Sequence, residues 1–395
     1  MIRKAFFIIL FAFSLGASAQ SPIEHELRGY LKYFANYSML NRSFFSEPLA
    51  SSLSAQSFDH QLHNRFDYKI YSGKWTAAVS MRNRLFNGAQ LDQGDLFLDL
   101  LDDDPGLVDL SLLYWRDDQA VLHTIFDRLW FQYESEKMLV RLGRQRINWG
   151  INSIWNPNDL LNQYNFFDFD YEERPGADAL RVQYFSSYSS SWEFALAPRN
   201  QLNQSTAALL YRNNQYAYDF QGILAYYQDN LSLGGGWAGN IWDLGFKGEL
   251  NYYWPLNSSN EALVFSTAFD YVLENGLYLS ASYLYNSQGS SQSSINDFSS
   301  FGAGVVLSPK NPFPFQHTGA FSVNYAFNPI VSGSTSLMYD PLGNNIIFFP
   351  SFTYSIYNNL DALIAAQFFL TENVLSEDQI QWLSNGIFAR LKWSF

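Results

Sequence analysis

The chain has 395 residues, a formal net charge of −13 and no cysteine, which excludes disulfides, cysteine nucleophiles and cysteine-ligated metal. The acidic balance argues against a nucleic-acid partner, which wants a basic surface. Charged residues make up 15% and aromatics 18%, with no apolar run long enough to cross a bilayer as a helix. Neither an ordinary soluble domain nor a helical membrane protein fits that composition.

At the N-terminus, Arg3 and Lys4 precede an apolar run from Ala5 to Leu15, and Ala17-Ser18-Ala19 follows. A basic head, a short apolar middle and an A-x-A end predict a secretory signal peptide over residues 1–19, cleaved near Ala19. The run is too short for a membrane anchor. Loss of Arg3 and Lys4 would take the charge from −13 to −15.

From residue 20 to 395 the dominant pattern is alternation of period two. Over 75–85, Trp75, Ala77, Val79, Met81 and Leu85 share one face, with Thr76, Ala78, Ser80, Arg82 and Arg84 on the other. Nineteen segments read this way: 28–37, 62–71, 75–85, 122–134, 138–146, 178–185, 191–197, 205–212, 217–228, 231–238, 242–254, 262–273, 277–286, 299–308, 318–328, 333–340, 345–357, 360–371 and 383–395. A β-sandwich also alternates, but here charges such as Lys247 and Glu249 fall on the inward candidates. Aromatics such as Trp75, Trp192 and Trp254 cluster at strand ends, a membrane-interface habit. The expected fold is all-β, a transmembrane antiparallel β-barrel of roughly 16–18 strands, since single-chain barrels usually have an even number. Ser72-Gly73-Lys74, Ser135-Glu136-Lys137 and Glu274-Asn275-Gly276 read as tight turns. Residues 41–61, 86–120 and 147–177 read as long loops that face outside or fold inward. The last strand alternates Ile387, Ala389, Leu391 and Trp393 and ends on Phe395. That ending resembles the signature by which outer-membrane barrels are handed to their insertion machinery.

Residues 139–162 read LVRLGRQRINWGINSIWNPNDLLN. On Gly143, Arg144, Gln145, Trp149, Gly150, Asn156, Pro157, Asp159 and Leu160, this stretch resembles porin-like outer-membrane barrels, the alginate-export type among them. The resemblance implies a diffusion or export channel with no cofactor. Read independently, strict alternation with Arg141 inward would put Arg144 and Arg146 on the lipid face, at about 2–4 kcal/mol each at mid-bilayer. A bulge near Gly143 is therefore expected, followed by a segment from Asn148 to Asp159, with Trp149, Gly150, Asn156 and Pro157, that packs against the pore.

Arg82, Arg84, Arg128, Arg141 and Arg181 fall on the inward face of consecutive strands, and the bulge would add Arg144 and Arg146. The 86–120 loop carries Asp95, Asp99, Asp102, Asp103 and Asp104. Folded inward, acid would face base across a constriction that selects by charge. The alternative is that the same residues brace the wall in salt bridges. The Asp102-Asp103-Asp104 run matches no calcium spacing, and no metal is expected there.

Neither Gly-x-Ser-x-Gly nor His-Glu-x-x-His occurs, so no enzyme is expected. The function read from the sequence is a porin-like channel for small polar or anionic solutes. The alternatives are a plugged structural or adhesive barrel and, further off, a hydrolase. The partners implied by the class are outer-membrane lipid, lipopolysaccharide and the insertion machinery. No feature fixes an oligomeric state.

Overall fold

A computed structural model describes residues 23–104, 106–117, 119–161, 174–291, 307–373 and 379–395. The expected signal peptide, 1–19, lies outside the described residues. The strands are β1 (Glu24–Leu40), β2 (Gln56–Ser72), β3 (Trp75–Gly88), β4 (Ser111–Arg116), β5 (Val121–Glu134), β6 (Met138–Gln145), β7 (Ala177–Phe185), β8 (Ser190–Ala197), β9 (Thr206–Gln215) and β10 (Tyr218–Tyr227). They continue with β11 (Asn230–Ile241), β12 (Leu244–Pro255), β13 (Ala262–Val272), β14 (Tyr278–Asn286), β15 (His317–Asn328), β16 (Val331–Asp340), β17 (Asn345–Tyr357), β18 (Leu360–Asn373) and β19 (Gln379–Ser394).

Apart from β4, every strand pairs antiparallel with its neighbours in sequence, and β1 closes on β19 from Tyr30↔Ser394 to Leu40↔Ser384. Setting β4 aside leaves a closed barrel of 18 strands from the 19 in the sheet. The seam continues past the last ladder residue. Gly29 and Phe395 exchange both backbone hydrogen bonds, each 2.9 Å. A Cβ at position 29 would lie 2.7 Å from the Phe395 ring, so glycine is what lets the terminal aromatic lie against β1.

The strand expected at 299–308 lies mostly outside the described residues, and among the described strands β14 bonds directly to β15. The 86–120 loop, in contrast, holds a helix at Asp95–Asp102 and the short strand β4. One edge of β5 belongs to β3 throughout. The other edge is shared: β6 takes Leu129 to Glu134, and β4 takes Val121 to Ile125. β4 thus fills the edge that β6 vacates when the chain leaves the wall after Gln145.

Cross-strand partners share a face, so the register sorts the side chains. Outward lie exposed apolar residues in a continuous band, among them Leu62, Phe66, Leu142, Leu224, Leu233, Leu250, Phe321 and Ile364. Exposed aromatics mark both rims: Trp75, Trp192, Trp242 and Trp393 at the short-turn end, and Trp254, Tyr339 and Trp382 at the other. This is the outer surface a bilayer demands. Inward lie the polar and small residues that build the site.

Candidate functional site

After Gln145 the chain turns into the barrel and lies along the inner faces of β8 to β13. Ile147, Trp149, Trp155, Asn158, Asp159 and Leu160 are all buried there. The wall supplies a row of hydrogen bonds. Glu193 on β8 accepts from the Trp149 indole at 2.7 Å, and Gln221 on β10 donates to the Trp149 carbonyl at 2.9 Å. Asn158 donates to the Gly235 carbonyl on β11 at 2.7 Å. Glu249 on β12 accepts from the backbone N–H of Ile151, Asn152 and Asn158. Asn251 and Tyr253 on β12 both donate to the Pro157 carbonyl, and Ser266 on β13 donates to the Trp155 carbonyl. Gly150 has Asn156 packed against it, and a Cβ there would collide with the asparagine. Small wall residues make the close approach possible: Ala195, Ala208, Ala225 and Ala262 sit beneath the segment. Asp159 lies outside the wall strands. Burial pushes its carboxyl up to about 7, against the pull of Arg174 at 3.0 Å.

The wall from β2 to β8 carries the expected arginines. β5 has one extra residue opposite Ser80 and Met81, so Asp127 and Arg128 both face inward. Asp127 accepts from Arg65 at 2.5 Å and from Arg82 at 3.2 Å, all three being buried. Arg128 donates to the carbonyls of Asp127 and Arg174. Arg141 donates to the Gln132 side-chain oxygen at 2.7 Å through Nε and stacks over Trp130, 4.1 Å from its centroid. Arg181 and Glu193 form a forked pair at 2.7 and 2.9 Å. Arg84 donates to His123 Nδ1 at 3.3 Å, and His123 Nε2 meets Ser111 Oγ at 2.7 Å. The Ser111 hydroxyl donates onward to Asp102 at 3.0 Å. Because that proton goes to Asp102, His123 must donate to Ser111, which is the wrong polarity for a serine nucleophile.

Sequence reasoning missed the cations gathered at the barrel seam. Register brings Lys32, Lys392 and Arg390 from the two chain ends beside His63 and Arg65. Lys32 and Lys392 flank the Tyr30 ring, at 5.4 and 4.6 Å from its centroid. The pairing of β1 with β19 carries no local signal, so no pattern within either strand could have joined them.

Arg144 and the bulge are corrections. β6 keeps one-to-one register with β5 from Leu139 to Arg144 and with β7 from Met138 to Gln145, and the extra residue is Asp127 instead. Gly143 has φ +115°, and a Cβ there would run into the Leu129 carbonyl. Arg144 therefore stays on the face of exposed Leu142, outside the lumen, with Asp178 directly opposite on β7. Its cost there is met locally. Arg144 donates to Asp178 at 2.7 Å, to Asp104 at 2.6 Å and to the Val108 carbonyl at 2.6 Å. Asp104 and residues 106–108 lie over the cluster, with Leu107 and Val108 exposed. Arg146 is exposed just beyond the strand, near enough to Asp159 to act on its charge.

The acidic loop does not form a row facing the basic wall. Asp104 serves Arg144 on the outer side, Asp102 holds Ser111, and Asp95 pairs with exposed Arg116 at 2.6 Å. Asp99 and Asp103 are exposed and form no ion pair among the described residues.

Elsewhere the interior is lined by hydroxyls. Ser282, Ser322, Ser334, Ser336 and Ser351 face inward from β14 to β17 and are half-buried. Ser322 pairs with Ser336 and Ser334 with Ser351, both at 2.7 Å. Beside the inward segment a cavity of about 470 Å³ is lined by Gly150, Ile151, Ser191, Arg212, Asp219 and Gln221.

No family model and no curated protein matches the sequence. Solved structures do match. The outer membrane protein OprD from Pseudomonas aeruginosa shares 11% identity over 96% of this chain and 95% of its own, with a TM-score of 0.58. OccAB4 from Acinetobacter baumannii shares 10% over 96% and 100%, also at 0.58. OccK7 (OpdD) from Pseudomonas aeruginosa shares 10% over 94% and 98%, at 0.56. At such identity the likeness establishes a shared fold.

Proposed function

We propose that this chain is an outer-membrane channel for the passive passage of small polar solutes, anions among them. The observation that carries this reading is a closed 18-strand barrel whose interior is polar and narrowed by a segment of the same chain. A barrel of that size is too wide for its wall side chains alone to fill. The apolar outer band with aromatic rims and the fold shared with OprD, an outer membrane protein, support the location. The last strand, ending on Phe395 against β1, suits delivery by the insertion machinery, and the outer band suits lipid and lipopolysaccharide. The stretch from Gly143 to Leu160 supports a finer kinship with the alginate-export type.

Most inward arginines are engaged by carboxylates or carbonyls, so the expected anion preference is modest. Conductance of the refolded protein in a planar bilayer under a salt gradient tests the reading. Discrete open steps with weak anion preference are expected, and R82A/R84A should raise relative cation permeability. Silence in a preparation that resists SDS would mean a plugged barrel.

A further inference from the structure

We propose that Glu249 is the positioning residue of the constriction: its carboxylate clamps the inward segment to the wall and so sets the bore. The inference rests on the channel reading for its consequence, but not for its geometry. Glu249 stands midway along β12, faces inward and is fully buried. Its Oε1 accepts from the Ile151 and Asn152 N–H groups at 2.5 and 2.8 Å, and its Oε2 accepts from the Asn158 N–H at 3.1 Å. Ile151 and Asn152 lie on the arm that enters the barrel, and Asn158 on the arm that returns. One side chain therefore ties both arms to each other and to the wall. No cation lies within ion-pair distance of Glu249 among the described residues. Its charge is met by peptide dipoles, as a bound anion is met in a backbone nest. Hydrogen bonds to a charged acceptor are about twice as strong as neutral ones, which sets Glu249 apart from its neighbours Asn251 and Ser266.

The geometry explains why the residue is an acid. A glutamine could accept from Ile151 and Asn152 through its oxygen, but its NH2 would then face the Asn158 N–H, donor against donor. An alanine would leave three N–H groups around a vacant anion site.

The chain has no cysteine, so a single reporter can be placed without background. Leu160→Cys puts a thiol at a buried position two residues beyond Asn158. In that background E249Q, E249A and I151P are compared for labelling by a membrane-impermeant maleimide and for conductance. I151P removes one donor from the segment and leaves the wall untouched, so it decides the matter if the β12 variants do not refold. Labelling should be about tenfold faster in I151P, the change expected from losing one charge-assisted hydrogen bond, and faster still in E249A, which loses three. Conductance should rise with it. Acetate should slow the labelling of E249A by refilling the anion site, where chloride of equal ionic strength does not. Wild-type labelling rates in all three variants, or an E249A rate indifferent to acetate, overturn the clamp. A wild-type protein that never conducts overturns the channel reading alone, because labelling still reads the clamp.

Discussion

Two stretches of the inner wall meet the same demand by different means. From β8 to β13 the wall residues are small, and the vacant space is taken by the chain itself, docked through amides and the carboxylates Glu193 and Glu249. Across β2, β3 and β5 the space is taken by long cationic side chains gathered on Asp127. At Glu249 peptide N–H groups offset the buried negative charge, and at Asp127 guanidinium groups do. A covered wall can yield if its clamp is cut, since the segment can move without disturbing the ladder. A charged wall cannot, because its cations belong to the strands. The first stretch should therefore answer substitution by changing bore, and the second by losing stability.

The sharpest test of that difference is D127A. It leaves Arg65 and Arg82 buried together, with Asp67 2.9 Å from Arg65. Removing one partner from a buried ion pair costs about 3–5 kcal/mol. The midpoint of urea unfolding in lipid vesicles should fall accordingly, with little change in the labelling of a cysteine at Leu160. An unchanged midpoint would show that Asp67 suffices and that the two walls do not differ in this way.

A smaller loss is expected on the outer face. D178A takes from Arg144 the acid opposite it and leaves Asp104 and the Val108 carbonyl. An unsupported arginine on the lipid face costs about 2–4 kcal/mol at mid-bilayer and less near the interface, so the loss should sit at or below the lower figure. Heat stability of the folded band on an SDS gel reads it, and D104A/D178A should lose more than either single change.

These pairs also mark where the sequence was legible. Strand positions, turns and the inward segment could be read because each depends on period, on glycine and proline, or on a cluster of neighbours such as Trp149 to Asp159. The side taken by Arg144 could not. The cost of a lipid-facing arginine was weighed correctly, but the device that offsets it, Asp104 and Val108 folded over from a loop some forty residues earlier, is a contact at long range. Lys32, Arg390 and Lys392 escaped for the same reason, since only barrel closure makes them neighbours.

The smallest effect expected is also the one that probes the covered wall without altering the wall. Asp159 is held in the inward segment, outside the strands, with Arg174 at 3.0 Å, Arg146 nearby and the Glu249 carboxylate also acting on it. Burial outweighs the two arginines and lifts its carboxyl from the ordinary 3.8 to about 7. A raised folded-state value means the docked segment binds the proton more tightly than a released one. The stabilisation is complete below the ordinary value and is lost as pH rises through about 7. The segment should thus be held most firmly in acid, and a cysteine at Leu160 should label several-fold faster at about pH 8 than at about pH 6, beyond the rise shown by a cysteine at exposed Ser153. D159N keeps an oxygen for the Trp149 N–H and cannot titrate at that position, so its labelling should rise less with pH than the wild type's. If the two profiles rise alike, the Arg174 pair keeps Asp159 ionised, and the covered wall would then hold its segment partly by a salt bridge, as the charged wall holds its arginines.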